Sequence, residues 1–240
     1  MYFKPYLWLT VFSVPTLAVL IALGSWQLQR LIWKTEIIET FTARAAAAPV
    51  SVDALTGNAG DNQFRRLSLS GTLLHEHEIY LTGRTYEGNA GFHVITPFRR
   101  SDGSIIFINR GWVSEEYRLP TSRPFSITTG IITIDGIVRL PQRQGYFVPD
   151  NEPDRGFWFT LKPDEIAQYK NFMSAETAFY VDQVRTDDVI TLPIAAEVRI
   201  DVRNAHLNYA LTWFGVALSL VGVYIAYHVS AGRLGFCSKD

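Results

Sequence analysis

Two long stretches without a charged side chain, one near each end, restrict the fold of this chain more than any other feature. Residues 5–29 contain no Asp, Glu, Lys or Arg, and neither do residues 204–232. A helix needs roughly 20 residues to cross a hydrocarbon core about 30 Å thick, so both stretches are long enough. Core helices of soluble domains seldom run so far without a charge. The sequence therefore predicts transmembrane helices at 6–29 and 204–229, a domain at 30–203 between them, and a tail at 230–240. The first stretch has a rival reading as a cleaved secretory signal, with Lys4 as its basic start and Ala22-Leu23-Gly24-Ser25 as a small-residue cleavage site. Its length favours a retained anchor, as does its continuation into Trp26-Gln27-Leu28-Gln29-Arg30 without a turn.

Two crossings put both termini on one side. Charge does not fix which side, because Arg30, Lys34 and Arg44 follow the first stretch while only Lys4 precedes it. Arg233 and Lys239 in the tail are matched by Arg199 and Arg203 before the second stretch. That distribution mildly opposes cytoplasmic termini, although the positive-inside rule is weak for a translocated domain of about 170 residues. The single cysteine, Cys237, lies in the tail, so the central domain forms no disulfide, which suits either compartment. No arginine-rich, acid-poor leader precedes the first stretch, so a mitochondrial precursor is not expected.

Between the ends, residues 31–48 read as a helix continuing the first stretch, with Leu31, Ile38, Phe41 and Ala45 at helical spacing and Pro49 as its stop. Residues 56–62 read as a loop. From Phe64 onward the pattern alternates: Arg66-Leu67-Ser68-Leu69-Ser70-Gly71 and Glu78-Ile79-Tyr80-Leu81-Thr82 are strands, followed by 91–98 and 105–113 around an Asp102-Gly103 hairpin turn. Further strands are expected at 128–138, 156–161, 179–184 and 197–202, with one short helix from Pro163 to near Asn171. About eight strands against one helix predict a β-rich sandwich-like or barrel-like domain.

Familiar catalytic patterns are absent. No serine sits in a Gly-x-Ser-x-Gly elbow, Cys237 is terminal, and Gly83, Gly88 and Gly91 match no phosphate-binding loop. On a strand, His75 and His77 would share a face, as metal ligands often do, yet no third ligand is evident and a solvated strand edge or turn is the better reading. His93 reads as a half-buried strand histidine, and His228 as a side chain snorkelling to the interface. His206 opens the second stretch, with Tyr209, Ala210 and Trp213 three, four and seven residues on. His228 is 22 residues further, about 33 Å along a helix, so the two cannot share one metal.

The end of the first span and the start of the second join the same domain, so Gln27, Arg30 and His206 lie at one depth. Packed together, an imidazole, an amide and a guanidinium could ligate a haem iron and pair with its propionates. The alternative is an aromatic belt of Trp26, Trp33 and Trp213 with Arg30 facing headgroups, and the bare residues favour the belt.

Four segments carry a resemblance. Leu23-Gly24-Ser25-Trp26-Gln27-Leu28-Gln29-Arg30 with Trp33-Lys34, Gly91-Phe92-His93-Val94-Ile95-Thr96-Pro97-Phe98, Ile108-Asn109-Arg110-Gly111-Trp112-Val113, and the stretch from Asn204 through His206 to Phe214 run in order along the chain. Together they resemble the surfeit locus protein 1 family of cytochrome c oxidase assembly factors, over nearly the whole length. The resemblance implies a non-enzymatic factor of the bacterial inner membrane, with cytoplasmic termini and a periplasmic domain. It also implies haem a as transient cofactor, His206 as axial ligand of the haem iron, and oxidase subunit I as recipient. Haem a synthase and the lipid bilayer are further expected partners, and nucleic acid is not. Gln27, Arg30, Trp213 and Tyr209 join the expected pocket on geometry, while residues 145–155 match no pattern of the family. A haem-free structural chaperone for an oxidase intermediate is the alternative function. An unrelated membrane-anchored binding module would require the ordered motifs to be accidental.

Overall fold

In the computed structural model, residues 2–185, 191–196 and 205–235 are described. In chain order the elements are β1 (Tyr2–Phe3), α1 (Leu7–Ala46), β2 (Arg66–Leu73), β3 (Ile79–Tyr86), β4 (Asn89–Arg100) and β5 (Ile105–Val113). They continue with β6 (Ile132–Arg139), α2 (Pro163–Lys170), β7 (Tyr180–Gln183), α3 (His206–Ser230) and β8 (Leu234–Gly235). The described residues form two compact units, one holding the chain up to Glu39 with α3 and β8, the other beginning at Thr40.

The first unit contains two helices long and apolar enough to cross a membrane. The anchor and the continuation expected after it form one uninterrupted helix of 40 residues that passes through Pro15. Pro49 lies just beyond its end, where a ring without an N–H stops propagation. Beside the helices, β1 and β8 pair antiparallel, Tyr2 opposite Gly235 and Phe3 opposite Leu234.

The second unit is built on six strands in the order β2-β6-β7-β5-β4-β3. The first part of β2 pairs with β6, and its end, Gly71–Leu73, pairs with β4 opposite Arg100–Phe98. That double pairing closes five strands into a ring, and β3 flanks β4. One face of the ring strands is the interior: Leu67, Leu69, Phe98, Ile106, Ile108, Ile134, Val138 and Val181 form one buried cluster. The opposite face of β3, β4 and β5 is covered by Trp158, Leu161 and α2 through Ile166. The last turns of α1 add Phe41 and Ala45 against Ile137, Val184 and Phe64.

Several expectations are corrected. The strand expected at 128–138 begins only at Ile132, after Gly130 takes a left-handed turn at φ 82°. Residues 156–161 form no regular strand, although Trp158 makes a bridge to Leu81. Side-chain amides replace the ladder there: Asn151 Oδ1 accepts from the backbone of Phe159 and Thr160, and Gln142 Oε1 from Leu161. Of the strand edge or turn expected at His75–His77, the turn is what forms, a single tight helical one. The strand expected at 197–202, Asn204 and Cys237 lie outside the described residues.

Candidate functional site

The first unit is organised by a stripe of buried and half-buried side chains along α1. Tyr6, Thr10, Ser13, Leu17, Leu20, Gly24 and Gln27 alternate spacings of four and three, the repeat of a seam between two packed helices. On α3 the matching stripe runs from His206 through Ala210, Phe214, Ala217 and Tyr224 to His228. The helices are antiparallel and close: Thr10 Oγ1 and Tyr224 Oη are 2.6 Å apart, and Ala210 and Ala217 are buried. Gly24 has functional weight here, because a Cβ on it would stand 2.7 Å from the ring of Phe214.

Near one end of this seam, His206 Nδ1 lies 2.7 Å from Gln27 Oε1. An amide oxygen only accepts, so Nδ1 donates, and in the neutral imidazole it is Nε2 that carries the free lone pair. Among the described residues Nε2 has no hydrogen-bond partner. Arg30, one turn along α1, stacks its guanidinium 4.4 Å over the ring of Trp33 and pairs with no carboxylate among the described residues. Trp213 is half-buried on the seam side, whereas Tyr209 is 58% exposed and lies off the stripe. The structure thus brings Gln27 and His206 into contact, sets Arg30 one turn away, and gives neither Trp213 nor Tyr209 a hydrogen bond to the imidazole among the described residues.

The opposite end holds the second helix histidine, and the snorkelling expected of His228 is corrected. Its side chain is fully buried. Nε2 accepts from the backbone N–H of Tyr6 at 3.1 Å, and Nδ1 donates to the carbonyl of Tyr224 at 2.8 Å. The N–H groups at a helix start lack partners of their own, and this imidazole supplies one. Phe3, Tyr6, Tyr224 and Tyr227 surround the ring, with Tyr224 at a centroid distance of 4.2 Å.

In the second unit, consecutive residues of β5 send polar groups to opposite faces. Asn109 donates to Asp182 Oδ1 at 2.8 Å and lies 3.3 Å from His93 Nδ1. Burial, with a smaller push from Arg84, lowers the His93 imidazole to about 4, which keeps it neutral. Burial raises the Asp182 carboxyl against the pull of Arg139 and Asn109. On the other face, Arg110 Nη1 meets Glu78 Oε1 at 3.2 Å, while Arg123 donates to Oε2 and His75 and Thr96 also bond Oε1. Burial alone would raise the Glu78 carboxyl, but the His75 hydrogen bond and both guanidinium groups lower it overall. The turn expected at His75–His77 is present, but in place of solvent His75 meets a buried ion cluster at Glu78, while His77 stays partly exposed against Phe172. Sequence spacing missed this cluster because Arg123 sits in a Pro-rich loop that reads as surface. Gly111, next in the motif, has φ 112° and no room for a Cβ beside the Ile194 carbonyl. No group of three His, Cys, Asp or Glu that could hold a metal occurs among the described residues.

A family model described as the SURF1 family matches residues 15–218, a span that includes Gln27, Arg30, the two β motifs, His206, Tyr209 and Trp213. A SURF1-like protein of Monosiga brevicollis is 30% identical over 238 residues, covering 95% of this chain and 89% of its own. Surfeit locus protein 1 of Xenopus tropicalis is 31% identical, covering 81% of this chain and 67% of its own. The Homo sapiens protein of that name is 30% identical, with 81% and 69% covered. Because the matched span runs from the first helix through the sheet to the second helix, the chain belongs to the SURF1 family.

Proposed function

We propose that this protein is a two-pass membrane factor for assembly of a haem–copper terminal oxidase, holding haem a through His206 before its insertion into subunit I. The carrying observation is the Gln27–His206 hydrogen bond, which fixes the tautomer that leaves Nε2 able to bind a metal. Membrane insertion is supported by the surfaces of the helices. Only 11% of each apolar window is buried inside the protein, unlike a soluble core helix. In this reading the termini are cytoplasmic and the β-rich domain faces the periplasm of a bacterial cell.

The residues present fit the group. A neutral imidazole nitrogen suits iron, and Arg30, without an acidic partner among the described residues, suits a propionate at the membrane surface. His206 Nε2 would hold haem a through its iron, which would supply the metal chemistry when bound. Gln27 orients the ring and holds its proton on Nδ1. A single imidazole ligand is an attachment that another protein's ligands can replace, which is what delivery requires. No residue is assigned a bond-making role, and haem a synthase is the natural donor partner.

Purification from cells that make haem a tests the reading. His206→Ala should lose the haem absorption band, and Gln27→Leu should weaken haem retention by about ten-fold or more, as for other second-sphere partners. An unchanged spectrum in His206→Ala removes the histidine as ligand. One observation favours the haem-free chaperone as a second reading: the domain exposes Tyr146 at 95%, Phe147 at 93% and Met173 at 97%, side chains suited to a protein partner. Failure of oxidase assembly in Tyr146→Glu or Phe147→Glu, with His206→Ala silent, would select it.

A further inference from the structure

The end of the helix pair remote from His206 carries a second site. Between the first turns of α1 and the last turns of α3 runs a groove of about 340 Å³, lined by Tyr6, Trp8, Ser13, Leu220, Tyr224 and Tyr227 among others. Most of this end lies outside the span matched by the family. We infer that the groove binds an acidic glycerophospholipid, with one acyl chain along its apolar walls and the phosphate at Arg233 and Lys4.

Three observations converge on that ligand. First, the charge-free stretches end at Lys4 and Arg233, which sets this end at headgroup depth once the helices cross a bilayer. From Tyr6 to Ser13 the groove then runs about 10 Å toward the hydrocarbon, as an acyl chain does. Second, Arg233 is held in place. Its guanidinium lies 3.8 Å over the ring of Tyr6, and its backbone N–H donates to the His228 carbonyl at 2.8 Å. Lys4 N–H donates to the Arg233 carbonyl at 2.9 Å, and β1 pairs with β8 beside them. Third, neither cation has a carboxylate partner among the described residues. One guanidinium held over Tyr6, a residue that lines the apolar groove, with the exposed Lys4 joined to it through the backbone, complements a phosphate diester that lacks its own ammonium. A second copy of the chain would bring the same cations against each other, so lipid is the better occupant.

The inference rests on the helices crossing a bilayer and not on haem binding, and retention of the protein in carbonate-washed membranes checks insertion separately. The test reconstitutes the full chain in phosphatidylcholine bilayers containing rising fractions of brominated phosphatidylglycerol. The Trp8 signal is taken as wild type minus Trp8→Phe. Half-quenching should need about five-fold less brominated phosphatidylglycerol than brominated phosphatidylcholine, the advantage of one basic contact to an acidic lipid. Arg233→Gln should remove the advantage, Lys4→Gln should reduce it, and Arg233→Lys should keep most of it. Equal quenching by the two lipids, or no change in either Gln variant, overturns the proposal. Loss of the advantage in millimolar inorganic phosphate would mean a free-anion site, and a cross-linked dimer protected from quenching would mean a second copy; each also overturns it.

Discussion

Two histidines on one helix show how a single hydrogen bond decides what an imidazole can do. His228 spends both nitrogens inside the protein, whereas among the described residues His206 spends only Nδ1. Elsewhere, Glu78 is the residue on which most depends, since its buried carboxylate answers two arginines. Glu78→Gln leaves those guanidinium groups without a charge partner and should cost about 3–5 kcal/mol of stability, measured by denaturant unfolding of the protein in detergent. Because the fold holds the Glu78 carboxyl below its ordinary value of 4.5, its stabilisation is present at neutral pH and is lost as pH falls through the acid range. His93 acts in the same direction from another cause. Burial pushes it down to about 4, so the unfolded chain takes up a proton that the fold refuses at pH values between about 6.5 and 4. Stability therefore rises with pH across that window, by up to about 3 kcal/mol. An imidazole resonance for His93 that titrated above pH 6 would reject this. The sequence showed His93 as a strand histidine but not its contact with Asn109, which strand pairing brings to it and which Asp182 in turn holds.

Among the elements, the pair α1 and α3 is set by small residues at its closest approach. Gly24→Leu should force Phe214 aside, destabilise the pair by about 1–3 kcal/mol and weaken the Gln27–His206 contact, read as thermal stability and haem retention together. Gly215→Leu is the control, because a Cβ there meets nothing within 4 Å, and it should change stability by about 0.5 kcal/mol or less. Element positions were largely legible where periodicity was strong, as in both long helices and in the hairpin at Asp102-Gly103, where Gly103 adopts φ 84°. Legibility failed at 156–161, an apolar run that looks like a strand. Part of its backbone bonding goes to side-chain amides of Asn151 and Gln142, which no alternation rule anticipates. It failed as well for the clasp at His228, whose acceptor role depends on Tyr6, 222 positions away.

For the whole molecule, sidedness is the property that charge left open. Protease added outside spheroplasts should cut the β-rich unit at exposed sites such as Tyr146 and leave both chain ends protected. Cleavage only after lysis would put the domain in the cytoplasm and reverse the proposed topology. The family was legible from four motifs because each sits where the fold is least forgiving: Gly24 at the helix seam, Gly91 with no room for a Cβ beside the Val113 carbonyl, Asn109 and Arg110 on opposite faces of β5, and His206 against Gln27. The four-three spacing of the α1 stripe carries one more consequence, which concerns counting. One alanine inserted between Leu20 and Gly24 would rotate everything after it by about 100° and carry Gln27 away from His206, with every native residue still present. Seven inserted residues would restore the facing but shift Gln27 by about 10 Å along the axis. Between Tyr6 and Gln27, then, the number of residues matters as much as their identity, and a one-residue length change there should be as damaging as loss of the histidine.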